Sequence, residues 1–96
     1  MKIYVDIDNT ICKTVGTDYK SAMPIKRNIE KINKLFDEGH EIIYWTARGS
    51  VTKINYFALT SKQLKTWNCK FHKLSVGEKP YYDLLICDKT KRIEEI

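Results

Sequence analysis

Lys2-Ile3-Tyr4-Val5-Asp6-Ile7-Asp8-Asn9-Thr10 decides how the rest of the chain is read. Ile3, Val5 and Ile7 alternate within a short β-branched and aromatic run, which predicts a strand over Lys2 to Ile7. Two acids, Asp6 and Asp8, stand one residue apart where that strand ends. In an extended backbone both carboxylates point to one side, a few ångströms apart. Such anions repel, so one is protonated or a cation lies between them.

Outward from this strand, the punctuation alternates helices with strands. Residues 8 to 23 are polar and irregular around Gly16, which predicts a loop or flap. Pro24 suits the first position of a helix, where its missing N–H costs nothing. Ile25, Ile29, Ile32, Leu35 and Phe36 then recur at helical spacing, and Gly39 stands where a left-handed cap is wanted. Glu41 to Thr46 predicts a second strand. Ser50 is a candidate N-cap for a second helix with the stripe Val51, Ile54, Ala58, Leu64 and Trp67. Phe71 to Leu74 predicts a short third strand, Ser75 to Pro80 a loop, and Asp83 to Cys87 a fourth strand.

Helical crossovers between strands imply a mostly parallel sheet. The expected fold is α/β: a minimal Rossmann-like three-layer sandwich of about four strands, spanning residues 1 to 96 as one domain. The stretch between Asp8 and Thr46, like that between Thr46 and Lys79, holds a helix and a strand and little else. No cap domain fits in either. In such sheets ligands gather at the carboxyl ends of the strands, and Asp6, Asp8, Thr46 and Asp88 all fall there.

The chain has 96 residues, 43% hydrophobic and 30% charged, with four Gly and two Pro, which excludes disorder and low complexity. No apolar run reaches the roughly 18 to 20 residues of a membrane span. An acid at Asp6 interrupts what a signal peptide would keep apolar, so the expectation is an intact start and a cytoplasmic protein. Cys12, Cys69 and Cys87 are odd in number and widely spaced, which fits reduced thiols. The net charge of +5 favours anionic ligands without naming one.

The acids define a chemistry. Mg²⁺ is a hard cation that binds through one or two carboxylates plus phosphate and water, and Asp88 offers a further oxygen from a neighbouring strand. One Asp can attack phosphorus, and a second can protonate the leaving alcohol and later deprotonate water. Thr46 can donate to a phosphate oxygen while Lys79 neutralises its charge.

These residues resemble the haloacid dehalogenase (HAD) superfamily of phosphohydrolases. Asp6-Ile7-Asp8-Asn9-Thr10 is similar to its first motif, DxDxT, and Tyr44-Trp45-Thr46-Ala47-Arg48 to its second. Lys79 is similar to the third-motif lysine, and Ile86-Cys87-Asp88-Lys89 to the acidic fourth motif. The resemblance implies Asp6 as nucleophile and Asp8 as general acid/base that also lends its backbone carbonyl to Mg²⁺. It further implies phosphate binding at Thr46, Ala47, Arg48 and Lys79, and metal binding at Asp6, Asp8 and Asp88. Cys87 departs from the paired acids common in the fourth motif. Lys79-Pro80-Tyr81-Tyr82-Asp83 followed by Asp88 is similar to small capless members, some linked with surface-polysaccharide synthesis, which implies a sugar phosphate as substrate. An open site of this kind expects a bulky substrate, a homo-oligomer or a partner as its roof.

Each residue also has a plainer reading. DxDxT alone can be a strand end followed by an Asx turn, Asp88 can cap a helix, and Lys79 can be solvated. Arg48 can fork onto a substrate phosphate or carboxylate, or equally well pair with a surface acid. His40 and His72 lack ligand-spaced companions. Lys26, Arg27, Lys31 and Lys34 occupy one side of the first helix as a solvated face. Two rivals to the phosphatase follow: a non-catalytic binding protein of the same fold, and a basic nucleic-acid-binding domain. Neither nucleic acid nor membrane is the expected partner.

Overall fold

The computed structural model describes residues 1–77 and the backbone of 84–86. Strand β1 covers Lys2–Asp6, and a small antiparallel pair, β2 (Cys12–Lys13) and β3 (Met23–Pro24), follows. Helix α1 covers Lys26–Asp37, β4 Glu41–Thr46, α2 Phe57–Thr66, β5 Lys73–Val76 and β6 Leu84–Ile86. The main sheet runs β5-β4-β1-β6 with every neighbouring pair parallel, so the fold is a small, mostly parallel α/β structure.

Register explains the burial. Ile3 lies beside Ile42 and Val5 beside Tyr44, and all four are buried in one cluster with Ile7. Ile29 and Ile32 of α1 join this cluster, as does Leu64 of α2, with Leu35, Phe36 and Trp67 packed at its edge. Both helices therefore cover the same face of the sheet. Right-handed crossovers dictate that result, because the chain steps from β1 to β4 to β5 in one direction. The alternate residues Tyr4, Asp6, Ile43 and Trp45 share the opposite face. The described residues thus form two layers, where the sequence led to an expectation of three.

Both helices end in a Schellman motif, in which a left-handed residue lets two amides return to the last turn. After α1, Gly39 (φ 98°) donates to the Phe36 carbonyl at 3.1 Å and His40 to that of Leu35 at 3.2 Å. After α2, Asn68 (φ 59°) donates to Lys65 at 3.1 Å and Cys69 to Leu64 at 3.0 Å. Gly39 is where the sequence placed it.

Several boundaries differ from expectation. Pro24 does not open α1: it pairs with Cys12 in β3, and the helix starts two residues later at Lys26. A proline on an edge strand loses no ladder bond, and the Ile25 amide donates to the Ile11 carbonyl at 2.8 Å instead. Ser50 does not cap α2, which starts at Phe57; the Asn55 side chain accepts the Phe57 amide at 2.9 Å. Val51 and Ile54, read as core stripe, are 90% and 53% exposed. Lys53 (φ 63°) stands in the left-handed region, which no helix passes through. The third strand is shifted to Lys73–Val76, taking in Ser75 and Val76 from the expected loop. The fourth strand is described over Leu84–Ile86, within the expected stretch, and Asp83 and Cys87 lie outside the described residues.

Candidate functional site

The site lies at the carboxyl ends of β1 and β4. Asp6 ends β1, and after buried Ile7 the chain turns sharply, with Thr10 and Ile11 amides both donating to the Ile7 carbonyl. Asn9 takes φ 63°, a left-handed conformation that asparagine tolerates. Buried Asn28 of α1 holds this turn by donating its side-chain amide to the Thr10 carbonyl at 2.9 Å. Asp6 and Asp8, separated in sequence by Ile7, both line one pocket of about 610 Å³. Thr46, Ala47 and Arg48 line it as well. Lys79, Cys87 and Asp88 lie outside the described residues.

Asp8 accepts an unusual number of donors. Arg48 reaches it twice, Nη2 to Oδ1 at 2.8 Å and Nε to Oδ2 at 3.0 Å, with Nε also 3.2 Å from Oδ1. The Thr14 hydroxyl donates to Oδ1 at 2.7 Å and the Thr46 hydroxyl to Oδ2 at 3.1 Å. Burial pushes the Asp8 carboxyl up. The hydrogen bonds from Arg48 and Thr14, the Arg48 charge and the Thr46 bond outweigh it, and hold Asp8 below its ordinary value. At neutral pH Asp8 is a carboxylate.

Among the described residues Arg48 is the largest fully buried side chain, with the remainder of its fork equally engaged. Its Nη1 donates to Thr60 Oγ1 at 3.1 Å and to Gln63 Oε1 at 2.6 Å. Its guanidinium carbon lies 4.7 Å from the centre of the Tyr19 ring, a cation–π distance. The geometry displays neither sequence reading as made: Arg48 pairs with an acid of the protein, but that acid is Asp8 of the pocket and not a surface acid. Thr46 is drawn into the same network, since its hydroxyl accepts the Arg48 amide at 3.2 Å. Ala47 is exposed on the rim.

The pocket also has an aromatic and aliphatic lining of Tyr19, Trp45, Val51, Ile54 and Tyr56, with Tyr19 and Tyr56 edge to face at 5.0 Å. Tyr19 belongs to the flap between β2 and β3, while Val51, Ile54 and Tyr56 belong to the segment leading into α2. Sequence reasoning missed Thr14, Tyr19, Thr60 and Gln63. A signal for two of these existed: Thr60 and Gln63 follow Tyr56 at helical spacing, a polar stripe beside the apolar one.

Other chemistries find little support among the described residues. Cys12 and Cys69 are free thiols. Burial pushes Cys12 up, and Cys69 up to about 12, so neither is a thiolate at neutral pH. His72 is structural as expected: its Nδ1 accepts the Ile42 amide at 3.1 Å and its ring stacks on Phe36 at 4.7 Å. Among the described residues no three His, Cys, Asp or Glu side chains converge as metal ligands. No described helix is long and apolar enough to cross a membrane.

No family model and no curated protein sequence matches the chain. Among solved structures it is similar to a structural-genomics target from Vibrio cholerae, known from a crystal structure. The two are 26% identical with a TM-score of 0.73, over 83% of this chain and 71% of that one. The likeness supports a compact α/β fold.

Proposed function

We propose that the protein is a Mg²⁺-dependent phosphomonoester hydrolase of the HAD type, acting through an aspartyl phosphate. The finer fold goes with it: a capless Rossmann-like sandwich whose second face is covered, with the flap as local cover. One observation carries the reading. Asp6 and Asp8 flank the end of a parallel strand, open into one pocket, and share it with Thr46 from the adjoining strand. That is where ligands bind in open α/β sheets.

In this reading a carboxylate oxygen of Asp6 attacks phosphorus, and the bond from phosphorus to the ester oxygen breaks. Asp8, once protonated, gives its proton to the departing alkoxide. Water then attacks the aspartyl phosphate, Asp8 takes the water's proton, and inorganic phosphate leaves as the Asp6 carboxylate is restored. Asp6 and the Asp8 main chain, with Asp88, are oxygen donors of the kind Mg²⁺ prefers. The Asp8 carboxylate, already surrounded by Arg48, Thr14 and Thr46, is not the group offered to the metal. Bound Mg²⁺ supplies positive charge beside the phosphoryl oxygens. Thr46 and Lys79 are the proposed phosphate contacts, and a sugar phosphate is the proposed substrate, met in the cytoplasm.

The test is phosphate release from a panel of phosphomonoesters, with and without Mg²⁺, in wild type and Asp6→Asn. Mg²⁺-dependent release that disappears in a folded Asp6→Asn variant is expected. A second reading, a non-catalytic phosphate-ligand binder, is favoured by one observation: Asp8 is held ionised, whereas a general acid needs its proton. Calorimetric binding of Mg²⁺ with a phosphate mimic, without turnover of any panel member, selects that reading.

A further inference from the structure

The flap and helix α2 meet at one side chain that does not line the pocket. Gln63 uses both ends of its amide. Its Oε1 accepts from Arg48 Nη1 at 2.6 Å, and its Nε2 donates to the Tyr19 carbonyl at 2.6 Å. The same Tyr19 carbonyl accepts the Ala22 amide at 3.2 Å, closing the short 3₁₀ turn Tyr19–Ser21. The Tyr19 ring, in turn, lies between the Arg48 guanidinium at 4.7 Å and Tyr56 at 5.0 Å. The base of the flap is fixed independently, by the β2–β3 pairing and by the Ile25 amide on the Ile11 carbonyl.

We infer that Gln63 is a positioning residue for specificity: it bridges Arg48 to the flap backbone and so sets where Tyr19 stands in the pocket wall. The amide is suited to this because it accepts on one side and donates on the other, and its two partners demand opposite polarity. A guanidinium only donates and a carbonyl only accepts. The inference rests on the pocket being a phosphomonoester site. The substrate's organic part then meets Tyr19, and the room left for it depends on a residue beyond its reach.

Two variants separate the ends of the bridge. Gln63→Glu keeps an acceptor for Arg48 but turns a carboxylate oxygen toward the Tyr19 carbonyl, so the flap is released while Arg48 stays paired. Gln63→Leu removes both bonds. Amide hydrogen exchange of the full chain is the first readout. Exchange at Ser21 and Ala22, whose amides close the turn, is expected to rise severalfold in both variants, with β1 and β4 unchanged. Unchanged exchange at Ser21 and Ala22 in a folded Gln63→Glu variant overturns the inference. The second readout is the ratio of kcat/KM for a bulky aryl phosphomonoester over that for a small alkyl one, expected to shift severalfold through KM. An unshifted ratio in an active variant with a loosened flap overturns the specificity role. If wild type hydrolyses no phosphomonoester, the phosphatase reading fails on that result, and the exchange experiment still decides the bridge.

Discussion

Arg48 Nη2 stands 2.8 Å from Asp8 Oδ1, joining a fully buried guanidinium to a carboxylate whose side chain keeps 21% of its exposure. The pair links the turn after β1 to the end of β4, forty positions apart in sequence. Desolvating an arginine this completely is costly, and the structure answers with hydrogen bonds from every nitrogen of the fork. The same pair explains why Asp8 titrates low and why Thr60 and Gln63, remote in sequence, belong to the site.

Removing one partner of this pair leaves the other charge stranded. Arg48→Ala is expected to destabilise the fold by about 3 kcal/mol, the lower end for breaking a buried pair because Asp8 is partly exposed. Arg48→Lys, which keeps the charge without the planar fork, is expected to fall between. Urea denaturation measures both. An Arg48→Ala variant as stable as wild type contradicts the account.

The pair also gives a pH signature. The folded state holds Asp8 below its ordinary value of 3.8, so its contribution to stability is present above that value and is lost as pH falls through the lower, folded one. Wild type is expected to exceed Asp8→Asn in urea midpoint at neutral pH, and the gap is expected to close below about pH 4. A gap that is constant from neutral to acid pH shows that Asp8 is not held ionised.

Gly49 is the glycine that the loop cannot replace. It takes φ 82°, and a Cβ there would run into the Ile54 carbonyl, whereas Gly39 at φ 98° faces open space. Gly39→Ala is expected to cost about 1 kcal/mol from backbone conformation alone. Gly49→Ala carries the same conformational cost and a backbone collision besides. Its urea midpoint is expected to lie clearly below that of Gly39→Ala, and equal midpoints refute the close approach.

Ile32 and Val51, both expected in helix stripes from sequence, separate in the structure: one is wholly buried, the other 90% exposed. Ile32→Ala is expected to cost about 2 to 5 kcal/mol by leaving a cavity. Val51→Ala is expected to stay within about 0.5 kcal/mol of wild type. A large loss on Val51→Ala restores the longer helix.

That contrast shows what was legible. Strands β1 and β4 and helix α1 were read nearly to their ends, because period-two and helical repeats report burial directly and Gly39 announces its cap. Asp6, Asp8 and Thr46 were placed together because a parallel sheet sends strand ends to one edge. The start of α2 was misread because Ser50 is a good cap by type, while Asn55 accepts the amide that matters. Arg48 stayed undecided between ligand and acid, since a sequence shows charge and not the partner. The flap's hold on α2 was invisible, because Tyr19 and Gln63 stand 44 positions apart and meet only once α1, β4 and α2 have packed.

The exposed segment from Ser50 to Asn55 has one more implication. It forms a wall of the pocket, yet it adds nothing to the hydrophobic cluster. Given Gly49 to keep its bend, its side chains are free to drift while the scaffold's foldability is untouched. Substitutions at its pocket-lining positions Val51, Thr52 and Ile54 therefore reshape that wall at little cost in stability.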